Sequence, residues 1–188
     1  MPVGNWLERR AMLSPNKVAL IDTINSNQVI TYRQWNRKAN RMANFLQERV
    51  GIQKGDRVAV LSFNCTEYLD IWFALGKLGA ILQNLNWRQT AAELSTMIAE
   101  TSPKALVYGE EHCPTVNSIR SINLIIPKFI AIGEKAATSD LTILEAEDFP
   151  DTPPKEVELD WDDPWVICYT GGTSGIPKGA VLTYRSIT

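Results

Sequence analysis

The sequence predicts an α/β fold, a strand–helix alternating sheet with helices flanking it. Three observations carry that prediction. Between residues 57 and 132 short runs rich in Val, Ile and Leu alternate with longer amphipathic stretches. Capping signals mark where the longer stretches start and stop. A further apolar run, Trp165-Val166-Ile167-Cys168-Tyr169, leads directly into a loop rich in Gly, Ser and Thr. Such alternation favours a parallel sheet covered by helices, with ligands bound beyond the carboxyl ends of its strands.

The elements follow in order. Residues 5–13 read as a short helix stopped by Ser14-Pro15. Val18–Asp22 and Val29–Tyr32 read as a hairpin around the Asn-rich turn 25–27. A long helix spans about 32 to 49. Thr31 and Gln34 have capping-box spacing at its start, and Gly51 suits its C-terminal cap. Trp35, Ala39, Met42, Ala43, Leu46 and Val50 recur at helical spacing and mark its core face. Strand 57–62, helix 65–78 ended by Gly79, strand 80–85 and helix 91–101 come next, the last with the pair Thr90 and Glu93. Strand 104–108, helix 111–120 and strand 128–132 complete the series. Strand 165–169 and strand 180–183 bracket the loop 170–179.

Composition excludes several classes. Hydrophobic residues make up 45% of 188, which suits a globular domain with a sizeable core. The longest apolar stretch, 71–82, is short and broken by Lys77, so no transmembrane segment is expected. Glu8, Arg9 and Arg10 occupy the place of a signal peptide's apolar core. Cys65, Cys113 and Cys168 are far apart and odd in number, which points to free thiols in a cytoplasmic protein. His112, the single histidine, reads as a solvated residue at a helix start. Net charge is −2, yet residues 145–163 hold nine acids against Lys155, with four prolines from Pro150 to Pro164, and read as an exposed connector. The remaining positive excess suits a phosphate ligand, and its dispersion speaks against nucleic acid. Trp87 and Arg88, after a strand end, read as a packed tryptophan and a solvated arginine.

The loop Thr170-Gly171-Gly172-Thr173-Ser174-Gly175-Ile176-Pro177-Lys178-Gly179 is the chemical centre of the sequence. Three hydroxyls, four glycines and one lysine fall within ten residues. Glycine admits close backbone approach, so N–H groups can converge on phosphate oxygens. Thr170, Thr173 and Ser174 add hydroxyl donors, and Lys178 adds a mobile cation. The Walker pattern is excluded: Pro177 precedes the lysine, Gly179 follows it, and a strand rather than a helix leaves the loop.

Tyr169 through Gly179 resemble the phosphate loop of the adenylate-forming superfamily, Tyr-Thr-Ser-Gly-Thr-Thr-Gly-x-Pro-Lys-Gly. Gly171 and Ser174 are the two departures. Ile30-Thr31-Tyr32-Arg33 with Asn36, Ala39, Asn40 and Arg41, then Gly55–Val60, Lys77-Leu78-Gly79-Ala80 and Leu85-Asn86-Trp87-Arg88, resemble further family stretches in order and spacing. Gln83-Asn84 replaces the usual Val-Pro, and Tyr184 stands where many members have histidine.

The resemblance implies the front part of the large N-terminal domain of an enzyme similar to acyl-CoA synthetases and fatty-acid or aryl-CoA ligases. Residues 1–188 would form part of that domain. The implied reaction joins a carboxylic acid to ATP, releases pyrophosphate and passes the acyl group to CoA. Thr170, Gly171, Gly172, Thr173, Ser174, Gly175 and Lys178 would bind the nucleotide, and Thr173 would meet a Mg2+ ion arriving with ATP. The family's later segments, including the C-terminal domain with its catalytic lysine, are absent from these residues. No catalytic residue is therefore expected here, and the 188 residues alone are expected to be inactive. The family pattern begins near Met1, which favours a free-standing ligase over a peptide-synthetase domain. The alternative is a non-catalytic nucleotide- or phosphate-binding module whose acidic arm meets a partner.

Overall fold

The computed structural model describes residues 3, 5–24, 26–122, 125–134, 140–170 and 177–187. Helix α1 (Trp6–Leu13) precedes the hairpin β1 (Val18–Asp22) and β2 (Gln28–Thr31), which forms its own two-stranded antiparallel sheet. Ser26 and Asn27 turn the hairpin at φ 56° and 58°, the left-handed region Asn tolerates. Asn25 lies outside the described residues.

Helix α2 (Tyr32–Asn44) opens with the expected capping box of Thr31 and Gln34. It does not stay α-helical to residue 49. Phe45–Val50 form a π-helical turn closed by Gly51 at φ 80°. The wider turn sends Phe45, Leu46 and Val50 together into the core. Strand β3 (Arg57–Leu61), helix α3 (Thr66–Leu78), strand β4 (Ile81–Asn84), helix α4 (Ala91–Thr101) and strand β5 (Ala105–Gly109) follow the predicted alternation within a residue or two. A 3₁₀ turn, Glu110–His112, then feeds helix α5 (Cys113–Ser121) and strand β6 (Lys128–Ile132). The short strand β7 (Leu141–Thr142) and the 3₁₀ helix Ile143–Asp148 went unpredicted. Strand β8 (Pro164–Thr170), strand β9 (Lys178–Thr183) and helix α6 (Tyr184–Ile187) end the described chain.

The main sheet has the order β7-β6-β5-β3-β4-β8-β9. Every pairing is parallel except β8 with β9. Successive residues of a strand face opposite ways. Val58 and Val60 accordingly join α2 and α3 in one core, while Ala59 and Leu61 join α4 and α5 in the other. Burial on both faces explains the unbroken apolar runs in the inner strands.

The acidic segment is largely exposed, as expected, but it is not loose. It forms a strap along α2. Arg41 pairs with Glu147 at 2.5 Å, Arg49 with Glu145 at 3.3 Å, and Lys54 with Asp163 at 2.7 Å. Asn40 Nδ2 donates to Asp151 O at 2.8 Å, and Asn44 Nδ2 donates to Pro150 O and Thr152 O at 2.8 and 3.0 Å. Phe149 packs edge-on to Phe45. The bases of α2 and the acids of the strap lie about a hundred residues apart, so local charge counting could not pair them. Exposed pairs of this kind contribute about 0–1 kcal/mol each; the buried amide contacts and Phe149 fasten the strap more firmly.

Candidate functional site: the mouth of the β8–β9 hairpin

The parallel strands place their carboxyl ends at one edge of the sheet, and β8 delivers the glycine-rich loop there. Thr170 and Lys178 are paired residues at the last rung of the hairpin. Thr170 Oγ1 donates to Lys178 O at 3.4 Å, so the hydroxyl closes the neck of the loop. Both residues are exposed. Gly171, Gly172, Thr173, Ser174 and Gly175 lie outside the described residues. A Cβ on Gly179 would meet Ile167 Cγ2 at 3.0 Å, a tight contact.

Three buried side chains set the β8 side of this mouth, and sequence reasoning missed the first. Gln83 on β4 is fully buried. Its Nε2 donates to Tyr169 Oη at 2.9 Å and to Met97 O at 3.0 Å, and its Oε1 accepts from Thr101 Oγ1 at 2.8 Å. Tyr169 Oη donates in turn to Met97 O at 3.2 Å. Every polar atom of this triangle is satisfied, as burial demands. Burial raises the Tyr169 phenol, with the Gln83 bond pulling the other way. The residue before the loop is thereby tied to β4 and α4. The departure from Val-Pro at 83–84 was the available signal.

Trp165 and Tyr184 support the hairpin from the opposite core. Their rings stack at 4.8 Å and 19°, and both are fully buried. Tyr184 Oη donates to Gly76 O at 2.6 Å. Trp165 lies so close to α3 that a Cβ on Gly76 would stand 2.5 Å from its ring. Tyr184 is thus a buried anchor where β9 ends.

Beside the mouth, the turns after β3, β4 and β5 carry an aromatic row. Phe63 meets Trp87 at 4.8 Å and His112 at 4.9 Å, both edge-on. Arg88 lies 4.1 Å over the Trp87 ring. Trp87 packs, but it stays 40% exposed, and Arg88 is stacked rather than merely solvated. His112 corrects the sequence reading more sharply. It does stand at a helix start, yet it is buried at 7% exposure. Burial lowers its pKa, against the raising effect of Glu111, so the neutral imidazole prevails at pH 7. Phe63, distant in sequence, packs edge-on against its ring.

Among the described residues no group of three His, Cys, Asp or Glu side chains could hold a metal ion. Cys65 and Cys168 are free thiols. No helix among the described residues is long and apolar enough to cross a membrane.

Comparison with known proteins decides the family. The family model described as AMP-binding enzyme matches residues 7–188. The chain belongs to the AMP-binding enzyme family. Feruloyl-CoA synthase of an Amycolatopsis species is 34% identical over 99% of this chain and 34% of its own length. Long-chain-fatty-acid–CoA ligase FadD13 of Mycobacterium tuberculosis is 34% identical over 98% of this chain and 35% of its own. The chain therefore spans about a third of the length of these curated relatives. Among solved structures, the N-terminal domain of FACL13 from M. tuberculosis superposes with a TM-score of 0.85 at 34% identity, covering 99% of this chain and 45% of that one. The anthranilate CoA ligase AuaEII in complex with anthranoyl-AMP gives 0.90 at 25% identity, covering 98% and 35%. The α/β sheet with flanking helices is the architecture of these N-terminal domains.

Proposed function

We propose that this chain supplies the nucleotide-phosphate half of an ATP-dependent ligase that joins an acyl or aryl carboxylic acid to CoA. The observation that carries the reading is the β8–β9 hairpin at the carboxyl edge of a parallel sheet, with Thr170 and Lys178 paired at its neck, in a member of the AMP-binding family. The names of its relatives supply the substrate class, an acyl or aryl acid with CoA. Cytoplasmic residence fits the free thiols of Cys65 and Cys168.

In this reading the acid's carboxylate attacks the α-phosphate, and negative charge gathers on the departing pyrophosphate. Thr170, Thr173 and Ser174 donate hydroxyls to the β- and γ-phosphates, and Gly171, Gly172 and Gly175 open the backbone N–H groups to them. Lys178, at the exposed end of the neck, neutralises charge as it develops. A Mg2+ ion arriving with the nucleotide would meet the Thr173 hydroxyl and would supply neutralising charge to the phosphates. The 188 residues by themselves are proposed to release no pyrophosphate from ATP.

Titrating the chain with Mg-ATP in a calorimeter tests the phosphate role. A charge-assisted contact is worth about 1.5–3 kcal/mol, so Lys178→Ala should weaken Kd by roughly tenfold or more. An unchanged Kd rejects the assignment. Acid- and CoA-dependent pyrophosphate release by the 188 residues alone would reject the proposed inactivity.

A further inference from the structure

Lys77 is a basic residue that the phosphate site does not use. It lies on the last turn of α3, where its Nζ donates to Asn36 Oδ1 on α2 at 3.1 Å and to Asn5 Oδ1 beside α1 at 3.2 Å. Among the described residues no carboxylate comes within ion-pairing distance of it. Glu8 is held one step away, accepting from Asn5 Nδ2. An ammonium has three N–H groups, whereas a neutral amine has two and a lone pair. The two amide oxygens satisfy both N–H groups of the neutral amine. Burial lowers the ammonium's pKa to about 8, with the charge of Glu8 acting against it.

The same side chain lines a half-open cavity of about 560 Å³ between α1, α3 and the strap. Pro153, Pro154, Val157 and Leu159 form an apolar wall. Glu8 faces the cavity from α1, and Lys155, Glu156 and Glu158 face it from the strap. A small acyl group would lie against the proline and leucine side of that space.

We propose that Lys77 is a modification site, a nucleophilic amine that takes an acyl group from a small acyl thioester entering this cavity. The lone pair attacks the thioester carbonyl and a C–N bond forms. The C–S bond breaks, and the thiolate leaves with the proton that the nitrogen gives up. The products are a secondary amide and a free thiol, with no change of oxidation state. The amide keeps one N–H for an asparagine oxygen and removes a charge that burial disfavours.

The test is exposure of the 188-residue chain to S-acetyl-N-acetylcysteamine from pH 6.5 to 9.5, followed by peptide mass spectrometry of every lysine. A lysine titrating near 8 is about half neutral at pH 8, against well under 1% for an ordinary one, and lower basicity returns part of that gain. Lys77 should therefore acetylate about tenfold faster than exposed Lys17, with a midpoint near pH 8. Asn36→Asp should slow Lys77 at least tenfold at pH 8 and leave Lys17 unchanged, because a carboxylate at 3 Å favours the ammonium. A purely structural lysine clamp predicts a Lys77 that reacts no faster than Lys17. Lys77 reacting no faster than Lys17, a midpoint above pH 10, or an Asn36→Asp chain that reacts like wild type overturns the proposal.

Discussion

Replacing Gln83 with methionine isolates the triangle that ties the loop's entry strand to the sheet. Methionine keeps the volume and discards the amide. Three hydrogen bonds disappear, those to Tyr169 Oη, Met97 O and Thr101 Oγ1. At about 1 kcal/mol each they sum to about 3 kcal/mol. Neither hydroxyl is left orphaned, since Tyr169 Oη still donates to Met97 O and Thr101 Oγ1 still reaches the carbonyls of Met97 and Ile98. The apolar side chain recovers about 1 kcal/mol in a dry site. The expected net loss is about 2 kcal/mol, a fall in Tm of roughly 6 °C for a domain of this size. Urea denaturation of Gln83→Met, Tyr169→Phe and the double variant measures both the loss and the coupling. A coupling near 1 kcal/mol is expected from the direct bond. If Gln83→Met stays within about 0.5 kcal/mol of wild type, or the two changes simply add, the triangle does not hold the hairpin and the reasoning fails.

Asp70 should make stability depend on pH. Its carboxyl is buried on α3 and pushed up to about 7 by desolvation, with Lys38 pulling it back. Between pH 4 and 7 the folded chain holds a proton that the unfolded chain has lost. The group's contribution is thus complete below about pH 4 and fades as pH rises through about 7. Asp70→Asn, which cannot ionise, should gain on the order of 4 kcal/mol over wild type at pH 8 and little at pH 4; equal urea midpoints at both pH values would sink the idea. Gly76→Ala places a methyl against the Trp165 ring and should cost about 2–3 kcal/mol despite the better helix propensity of alanine, so a Tm at or above wild type would contradict the packing.

Much of this molecule was legible from residue order because its signals are local. The capping pairs at Thr31 and Thr90 are read within four residues, and both form as expected. Apolar runs at period two or unbroken, followed by stretches at period 3.6, set strands and helices nearly to the residue. The loop's chemistry is local as well, since Gly, Thr, Ser and Lys act there through backbone freedom and short donors. What residue order could not decide depends on partners distant in sequence. Glu147 read as part of an exposed connector until folding laid the strap across α2, where it meets Arg41. His112 looked like a surface residue because nothing near it in the chain announces Phe63. Gln83 looked like a departure from a pattern, and only the parallel pairing of β4 with β8 shows that it reaches Tyr169. Lys77 shows locally only as a break in an apolar run, because its desolvation is set by three helices and a strap meeting in space. Local propensity and pattern thus chose the elements and the loop, while tertiary packing set the dielectric and the partners around each polar side chain, and with them its protonation and its work.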